Sequence, residues 1–146
     1  MYCNVKICIN NKNAYTKTIV DTGNFLKEPI TKLPVVIVEK NVLKGIIPDY
    51  ILNNLDNIII GKEIDLNEYA SKIRIIPFTS LGKENGILLG LKADNLKIEM
   101  EGNTIHVKEC VIGIYNGVLT KTGKYHGLIG LDILENQDDN LVYEEW

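Results

Sequence analysis

A carboxylate at the end of an apolar stretch is the feature of this sequence best suited to chemistry. Asp21 follows Thr18-Ile19-Val20 and opens the triplet Asp21-Thr22-Gly23. From the counts of these residue types, chance predicts about 0.04 such triplets in the whole chain. Two facing carboxylates that share one proton can take a proton from water and donate one to a carbonyl oxygen. Asp21 is therefore the candidate catalytic residue for hydrolysis of an amide bond.

A second segment, far along the chain, has the composition expected of a strand that supports Asp21. Gly127 is followed by Leu128-Ile129-Gly130 and then by the helix-like run Leu131 to Leu134. Glycine allows two backbones to approach closely. The combination resembles retropepsin-like proteases, in which two apolar residues and a glycine pack behind an Asp-Thr-Gly loop. Because the sequence contains one Asp-Thr-Gly triplet, a two-carboxylate site requires a second copy of the chain.

An ordinary turn is the alternative interpretation of the same residues. Asp, Gly and Asn all favour turns in which an Asp side chain accepts a backbone hydrogen bond two residues further on. We interpret Thr22, Gly23 and Asn24 as an active-site loop that presents Asp21. The turn stays open as the alternative, in which Asp21 only links two strands.

Length, composition and charge exclude several classes of protein. With 146 residues, 45% of them hydrophobic and 24% charged, the sequence predicts a single folded domain over residues 1–146. A net charge of −3 gives no indication of binding to nucleic acid or to an anionic membrane. The sequence has neither an apolar run of about 20 residues nor the layout of a signal peptide. We expect a soluble chain that begins at a domain boundary.

Cysteines and histidines are few and do not have metal-ligand spacing. Cys3, Cys8 and Cys110 are an odd number, which favours free thiols over a disulfide. His106 and His126 are too few for a histidine-based metal site, and the resemblance to retropepsin-like proteases implies neither a metal nor an organic cofactor. His126 precedes the Gly127 strand, and whether it lies near Asp21 stays open.

Alternating apolar residues and turn signals predict a mostly β fold. A first hairpin joins residues 4–9 to 14–20 around the turn Asn10 to Asn13, and it ends at Asp21. Pro48 opens a predicted helix that runs through Leu55. Further strands are predicted over residues 33–38, 73–79, 86–91, 96–100 and 104–115 and from Gly127 onwards.

The predicted hairpin of residues 73–79 and 86–91 is a candidate flap. Two apolar runs around a glycine-containing tip are typical of a hairpin. Proteases with an Asp-Thr-Gly loop cover the bound peptide with a mobile hairpin that excludes water. The candidate flap residues are Thr79, Ser80, Leu81, Gly82 and Gly86. An ordinary core hairpin is equally consistent with the pattern.

Several short segments together carry a family resemblance. They are Val20-Asp21-Thr22-Gly23-Asn24, Leu26, Pro29-Ile30-Thr31, Pro34-Val35-Val36-Ile37-Val38-Glu39, Arg74-Ile75-Ile76-Pro77-Phe78 and Gly90-Leu91-Lys92-Ala93-Asp94. These segments resemble the stage II sporulation protein GA family, the sigma-E factor processing peptidases of endospore-forming bacteria. The resemblance spans roughly Thr18 to Gln137 and covers the family's C-terminal protease domain. The N-terminal membrane domain of that family is missing from this sequence.

The resemblance carries expectations for fold, activity and partners. It implies a mostly β, retropepsin-like closed β-barrel with one or two short helices, completed as a homodimer. It implies an aspartic endopeptidase that activates the precursor of the sigma-E factor, at the cytoplasmic face of a membrane-anchored protein in the mother cell. By resemblance, Thr22 would hydrogen-bond across the dimer axis, and Gly23 would let backbone amides approach the carboxylates. Contact with the membrane would come only through the missing N-terminal domain.

Two other functions remain open from the sequence. One is a catalytically silent, dimeric binding module of the same fold, in which Asp21 shapes a turn. The other is a retropepsin-like protease that acts on a different substrate. Replacement of Asp21 by alanine distinguishes the binding module, which would keep its fold and its partner, from a protease, which would lose turnover.

Overall fold

One mixed sheet of ten strands contains most of the regular structure in the described part of the chain. The computed structural model describes residues 1–23, 26–79, 85–135 and 141–142. The strands are β1 Tyr2–Ile9, β2 Lys12–Asp21, β3 Val35–Glu39, β4 Ile73–Thr79, β5 Asn85–Ala93, β6 Asn95–Met100, β7 Asn103–Val107, β8 Cys110–Tyr115, β9 Gly127–Gly130 and β10 Leu141–Val142. Their order across the sheet is β10-β7-β6-β1-β2-β9-β3-β8-β5-β4. The mostly β prediction is confirmed.

The expected closed barrel is wrong, because the sheet is open. Within the described residues, β10 pairs only with β7, and β4 pairs only with β5. β10 and β4 therefore form the opposite edges of the sheet. The segment between β3 and β4 contributes apolar side chains to the main core. Among them are Leu43, Ile51 and Leu55, each at most 5% exposed to solvent. In a closed barrel, paired strands would surround the core on all sides. Here these helical residues cover part of the core instead.

The helices are short and more numerous than expected. The described residues form three α-helices, α1 Asp49–Leu52, α2 Leu55–Ile59 and α3 Leu131–Glu135, together with 3₁₀ turns at Lys40–Leu43 and Asn67–Lys72. The predicted helix from Pro48 to Leu55 is divided between α1 and α2. Asn54 causes the division: its backbone is not helical, and its side chain donates to the Tyr50 carbonyl oxygen at 2.6 Å.

The first hairpin is confirmed and leads directly to Asp21. Val5, Ile7 and Ile9 of β1 are buried, as their alternation predicts. Asn10 and Asn11 both have positive φ, at 51° and 61°, the conformation of a tight two-residue hairpin turn. This turn fixes the register of β1 on β2 and thereby the point at which β2 ends.

The predicted strand of residues 104–115 is two strands. The break lies at residues 108 and 109, between β7 and β8. β7 pairs with β6 and β10, whereas β8 pairs with β3 and β5. The chain must leave one part of the sheet before it enters the other, and an apolar pattern cannot indicate that crossing.

Apolar side chains form two clusters on opposite faces of β3. Val36 and Val38 belong to the main cluster, which fills most of the interior. Val35 belongs to a smaller second cluster. The core members of this second cluster are Val35, Ile76, Leu88 and Val111, and partly buried Leu26, Leu33, Ile37 and Phe78 pack against them.

The three cysteines are free thiols, as predicted. Cys3 and Cys110 are buried and Cys8 is half-buried. Burial raises the pKa of the Cys3 thiol, and it raises the pKa of Cys110 to about 12. Both buried thiols are therefore poor nucleophiles at neutral pH. In the described part of the chain, no helix is long and apolar enough to cross a membrane.

Candidate active site

Asp21 is the last residue of β2 and lies beside Gly130. β2 and β9 pair in parallel, with Thr18 opposite Gly127 and Asp21 opposite Gly130. The structure therefore brings together the two sequence segments selected for chemistry. Leu128 and Ile129 lie in the same strand as Gly130, in register with Ile19 and Val20.

The Asp21 side chain lies on the face of the sheet away from the main core. Ile129 belongs to the main core, and its register partner Val20 packs against that core. Because successive strand residues point to opposite faces, Asp21 and Leu128 lie on the other face. Asp21 is half-buried there.

The residues after Asp21 form a turn closed by its own carboxylate. Asp21 Oδ1 accepts a hydrogen bond from the Gly23 backbone N–H at 3.0 Å. Thr22 and Gly23 are exposed, and a Cβ at Gly23 would lie 3.6 Å from Asp21 Oδ1, an ordinary contact. The turn that was the alternative interpretation of Asp21 is therefore present. Asn24 lies outside the described residues.

Glu28 organises the loop of residues 26–34, which precedes β3. Glu28 is buried, and its carboxylate accepts hydrogen bonds from the Ile30 N–H at 3.1 Å and from the Thr31 N–H and hydroxyl, both at 2.5 Å. The Thr31 hydroxyl is the main cause of a lowered Glu28 pKa. Sequence reasoning missed Glu28. The available signal was the order Glu-Pro-Ile-Thr, which places a carboxylate acceptor three residues before a hydroxyl donor and so indicates a turn closed by the glutamate.

The second apolar cluster joins this loop to the candidate flap. Leu26 and Leu33 come from the loop, and Phe78 and Leu88 come from β4 and β5. Gly113 leaves room for Val35 and Leu88 to pack in this cluster, since a Cβ at Gly113 would lie 3.1 Å from Val35 Cγ1 and 3.2 Å from Leu88 Cδ1. By strand alternation, Ile37 and its register partner Leu128 share the face of Asp21. An apolar surface thus extends from Asp21 towards the hairpin.

The candidate flap is a hairpin whose strands are described and whose tip is not. β4 and β5 pair antiparallel from Ile73 opposite Leu91 to Thr79 opposite Asn85. Ser80, Leu81 and Gly82 lie outside the described residues. The Phe78 ring packs directly over Gly86, where a Cβ would collide with it. The hairpin is confirmed as an element, and its action as a flap stays a prediction.

His126 lies at the opposite end of β9 from Gly130, so it is not adjacent to Asp21. Its Nδ1 lies 2.8 Å from Glu39 Oε1, and its backbone carbonyl accepts a hydrogen bond from the Glu39 N–H at 2.9 Å. Sequence reasoning did not select Glu39 as a buried carboxylate. Asp132, on the other hand, lies in the first turn of α3, and its Oδ2 is 4.0 Å from Lys27 Nζ, between helix and loop.

Comparison with known proteins gives a consistent result. A peptidase family model described as Sporulation factor SpoIIGA matches residues 1–133. The Sporulation sigma-E factor-processing peptidase of Priestia megaterium is 34% identical over 128 residues, which are 86% of this chain and 41% of that protein. The protein of that name from Bacillus subtilis is 28% identical over 129 residues, 86% of this chain and 42% of that protein.

A third relative has a length closer to that of this chain. The Putative sporulation sigma factor-processing peptidase of Bacillus thuringiensis subsp. kurstaki is 29% identical over 135 residues, which are 91% of this chain and 84% of that protein. The chain thus spans about two fifths of the Priestia megaterium and Bacillus subtilis relatives and most of this one. No solved structure matches the chain.

Proposed function

Because the chain belongs to the sporulation factor SpoIIGA family of peptidases, we propose that it is an aspartic endopeptidase that cleaves the inactive precursor of the sporulation sigma-E factor. Two Asp21 carboxylates, one from each copy of a homodimer, form the catalytic site. The names of the relatives support the substrate. In the proposal, residues 1–146 are one retropepsin-like protease domain, and any membrane attachment lies in a part of the protein outside this sequence.

The pairing of Asp21 with Gly130 is the observation that carries this proposal. It places a half-buried carboxylate at the end of a central strand. On the same face lie Leu128 and Ile37, which are partly buried and apolar. A peptide bound over this face would meet the carboxylate at one end of an apolar surface, as a peptidase requires.

The proposed chemistry balances around one shared proton. The ionised Asp21 takes a proton from a water molecule, whose oxygen attacks the peptide carbonyl carbon, while the protonated Asp21 of the other copy donates its proton to the carbonyl oxygen. As the resulting diol collapses, the Asp21 that took the water proton donates it to the peptide nitrogen, the other Asp21 accepts a proton from a diol hydroxyl, and the C–N bond breaks to give a carboxylic acid and an amine. Two close carboxylates do not both ionise, so the pair titrates as a unit.

The neighbouring residues take supporting roles in the proposal. Thr22 hydrogen-bonds across the two-fold axis to hold the two loops together, and Gly23 leaves room for backbone amides next to the carboxylates. Leu128, Ile129 and Gly130 hold the end of β2 in place. The β4–β5 hairpin closes over the bound peptide.

The turn at Asp21 favours the second candidate function, a binding module without catalysis. Asp21 Oδ1 accepts the Gly23 N–H at 3.0 Å, which is a sufficient structural reason for an aspartate. The chain contains a matched case. Asp65 Oδ1 accepts the Asn67 N–H, also at 3.0 Å, in an exposed loop away from β9. Asp65 therefore reports what the loss of such a turn alone would do.

The decisive experiment measures cleavage of the purified sigma-E precursor by this chain fused to a dimerising partner. Asp21→Asn keeps an oxygen that can accept the Gly23 hydrogen bond but removes the ionisable carboxyl. We expect Asp21→Asn and Asp21→Ala each to reduce the cleavage rate by about 10²–10⁴-fold, the usual contribution of a general acid or base. We expect Asp65→Ala to leave the rate within about twofold, since it removes only a turn hydrogen bond. Full activity in Asp21→Asn would reject Asp21 as the catalytic carboxylate, and a parent that binds the precursor without cleaving it would favour the binding module.

A further inference from the structure

Glu39, the last residue of β3, is a buried carboxylate that the proposed chemistry does not use. Its side chain is 5% exposed. Glu39 Oε2 accepts the Leu119 backbone N–H at 2.8 Å, and Glu39 Oε1 lies 2.8 Å from His126 Nδ1. A buried carboxylate is costly unless donors satisfy it. Glu39 meets this requirement with groups from one loop, residues 116–126, which connects β8 to β9.

Glu39 and Asp21 lie on the same face of the sheet. Along β3, Val36 and Val38 point into the main core, so Val35, Ile37 and Glu39 point to the other face. That is the face of Asp21. The loop of residues 116–126 is therefore fastened over this face, at the end of β9 away from Asp21.

The surface between the two carboxylates is apolar. Ile37 and Leu128 are register partners, both partly buried, and they lie between the Glu39 end and the Asp21 end of the sheet. Gly127 allows the two strands to approach here, since a Cβ at Gly127 would lie 2.9 Å from the Ile37 carbonyl oxygen. His126, which immediately precedes β9, and Gly130 are four residues apart, which corresponds to a distance of about 13 Å along the strand.

We propose that Glu39 is a positioning residue, which fixes the loop of residues 116–126 as the end wall of the peptide-binding cleft. The floor of the cleft is Ile37 and Leu128, and Asp21 lies at its other end. An extended peptide advances about 3.3 Å per residue, so a peptide that runs along the floor reaches the wall about four residues from the cleaved bond. The loop carries Val118, which is 65% exposed, next to the anchored Leu119. The wall thus offers an apolar contact. This inference rests on the proposed function.

The test compares Glu39→Gln with the parent on two peptides from the pro-sequence junction of the sigma-E precursor. The long peptide has five residues on each side of the cleaved bond, and the short peptide has three. The fusion to a dimerising partner is the enzyme. We expect Glu39→Gln to raise KM for the long peptide about tenfold, with kcat within about twofold, since the anchor of the wall loses its charge-assisted bonds. For the short peptide, which does not reach the wall, we expect the parent KM.

Two further variants separate the wall from a general loss of folded protein. Glu109→Gln is the matched control, because Glu109 is an exposed carboxylate whose Oε1 lies 3.4 Å from Lys92 Nζ. It should behave as the parent on both peptides. His126→Ala removes one of the two anchors and should raise KM for the long peptide by a smaller factor. If Glu39→Gln lowers kcat equally on both peptides, or changes KM equally on both, Glu39 has only a structural role and the inference is wrong.

Peptide binding to proteins that also carry Asp21→Asn separates this inference from the proposed function. With Asp21→Asn as the common background, fluorescence anisotropy of the labelled long peptide measures binding without turnover. The wall predicts that adding Glu39→Gln weakens that binding about tenfold and leaves the short peptide unaffected. If the long peptide binds equally with and without Glu39→Gln, or does not bind at all, the inference that Glu39 positions the wall is wrong. Normal binding combined with a parent that never cleaves overturns only the protease.

Discussion

Carboxylates organise several loops of this molecule by accepting backbone N–H groups. Glu28, Glu39 and Asp65 each do so within or beside a loop, as does Asp21. Asp21 differs from the other three in its position at the end of a strand that pairs with Gly130. A carboxylate that only closes a turn needs no such partner. At the residue scale, Asp21 is therefore distinguished by the strand that pairs beside it and not by its own hydrogen bond.

Asp94 provides a test of stability against pH. Its Oδ1 accepts Lys72 Nζ and its Oδ2 accepts the Asn10 N–H, both at 2.7 Å, so it ties the first hairpin turn to the start of β4. The hydrogen bond from Lys72 is the main cause of a lowered Asp94 pKa. A lowered folded-state pKa stabilises the fold at pH values above the unfolded-state pKa. That contribution is lost as pH falls through the folded-state pKa.

We expect Asp94→Asn to reduce the free energy of unfolding at pH 7 by at most about 1 kcal/mol, because solvent screens this partly exposed pair. The difference from the parent should shrink between pH 7 and pH 3, because the pH falls below the unfolded-state pKa and towards the lowered folded-state pKa. Urea unfolding at both pH values measures it. Glu109→Gln, which affects a longer exposed pair, should change stability less. A deficit of Asp94→Asn that persists unchanged at low pH would contradict the assignment to charge.

At the residue scale, the sequence indicates Asp21 and Gly130 but not the other carboxylates. The Asp-Thr-Gly triplet and the two apolar residues before Gly130 are local patterns, so they are visible without a structure. Glu39 is an ordinary glutamate at the end of an apolar run, and its partner Leu119 is 80 positions away. Its burial results from the path of a loop, which no local pattern encodes.

At the scale of elements, local patterns predict hairpins better than they predict breaks. The β1–β2 hairpin follows from alternation and turn residues, and the β4–β5 hairpin follows from two apolar runs around a glycine-containing tip. Both strand pairs are present. The division of the predicted helix at Asn54 and the division between β7 and β8 depend on competing hydrogen bonds and on strand neighbours that are distant in sequence. The open sheet has the same origin, because helical residues between β3 and β4 complete the core.

The contact of β9 with its two neighbouring strands depends on Gly127. A Cβ there would lie 2.8 Å from Thr18 Cγ2 in β2 and 2.9 Å from the Ile37 carbonyl oxygen in β3. We expect Gly127→Ala to lower the free energy of unfolding by about 1–3 kcal/mol, since a backbone oxygen cannot rotate away as a side chain can. Thermal and urea unfolding measure the change.

Gly23→Ala is the matched control for the stability effect. Its new Cβ would meet Asp21 Oδ1 at 3.6 Å, an ordinary contact, so the free energy of unfolding should change by no more than about 0.5 kcal/mol. If Gly127→Ala is as stable as Gly23→Ala, the close approach of β2, β3 and β9 is not a constraint on the fold.

At the scale of the whole molecule, the proposed site is half complete in each copy. A sequence with one Asp-Thr-Gly triplet supplies one carboxylate, and an isologous dimer supplies the second by symmetry. In such a dimer, every active site contains both chains. A chain with a defective Asp21 therefore inactivates a normal partner, which a monomeric enzyme would not do.

Mixing the parent with Asp21→Ala tests this shared site. With a fixed amount of unfused parent chain and an equal amount of Asp21→Ala, random pairing should reduce cleavage to about one half, and a threefold excess to about one quarter. The chains must be mixed under conditions that allow exchange, and Asp65→Ala replaces Asp21→Ala in the control. Activity that does not change with added Asp21→Ala would mean that a single chain carries a complete site.

The parallel pairing of β2 with β9 also has a consequence for the order of events during synthesis. β2 is near the start of this sequence, and its partner Gly130 follows more than a hundred residues later. Contacts between such distant residues form late, because closing the intervening chain costs entropy before any contact compensates. A chain still growing on the ribosome carries Asp21 without the strand that holds it. If the chain acts as the proposed protease, its activity is thus withheld until translation has passed Gly130, and an interrupted chain that ends before this point lacks the pairing of Asp21 with Gly130.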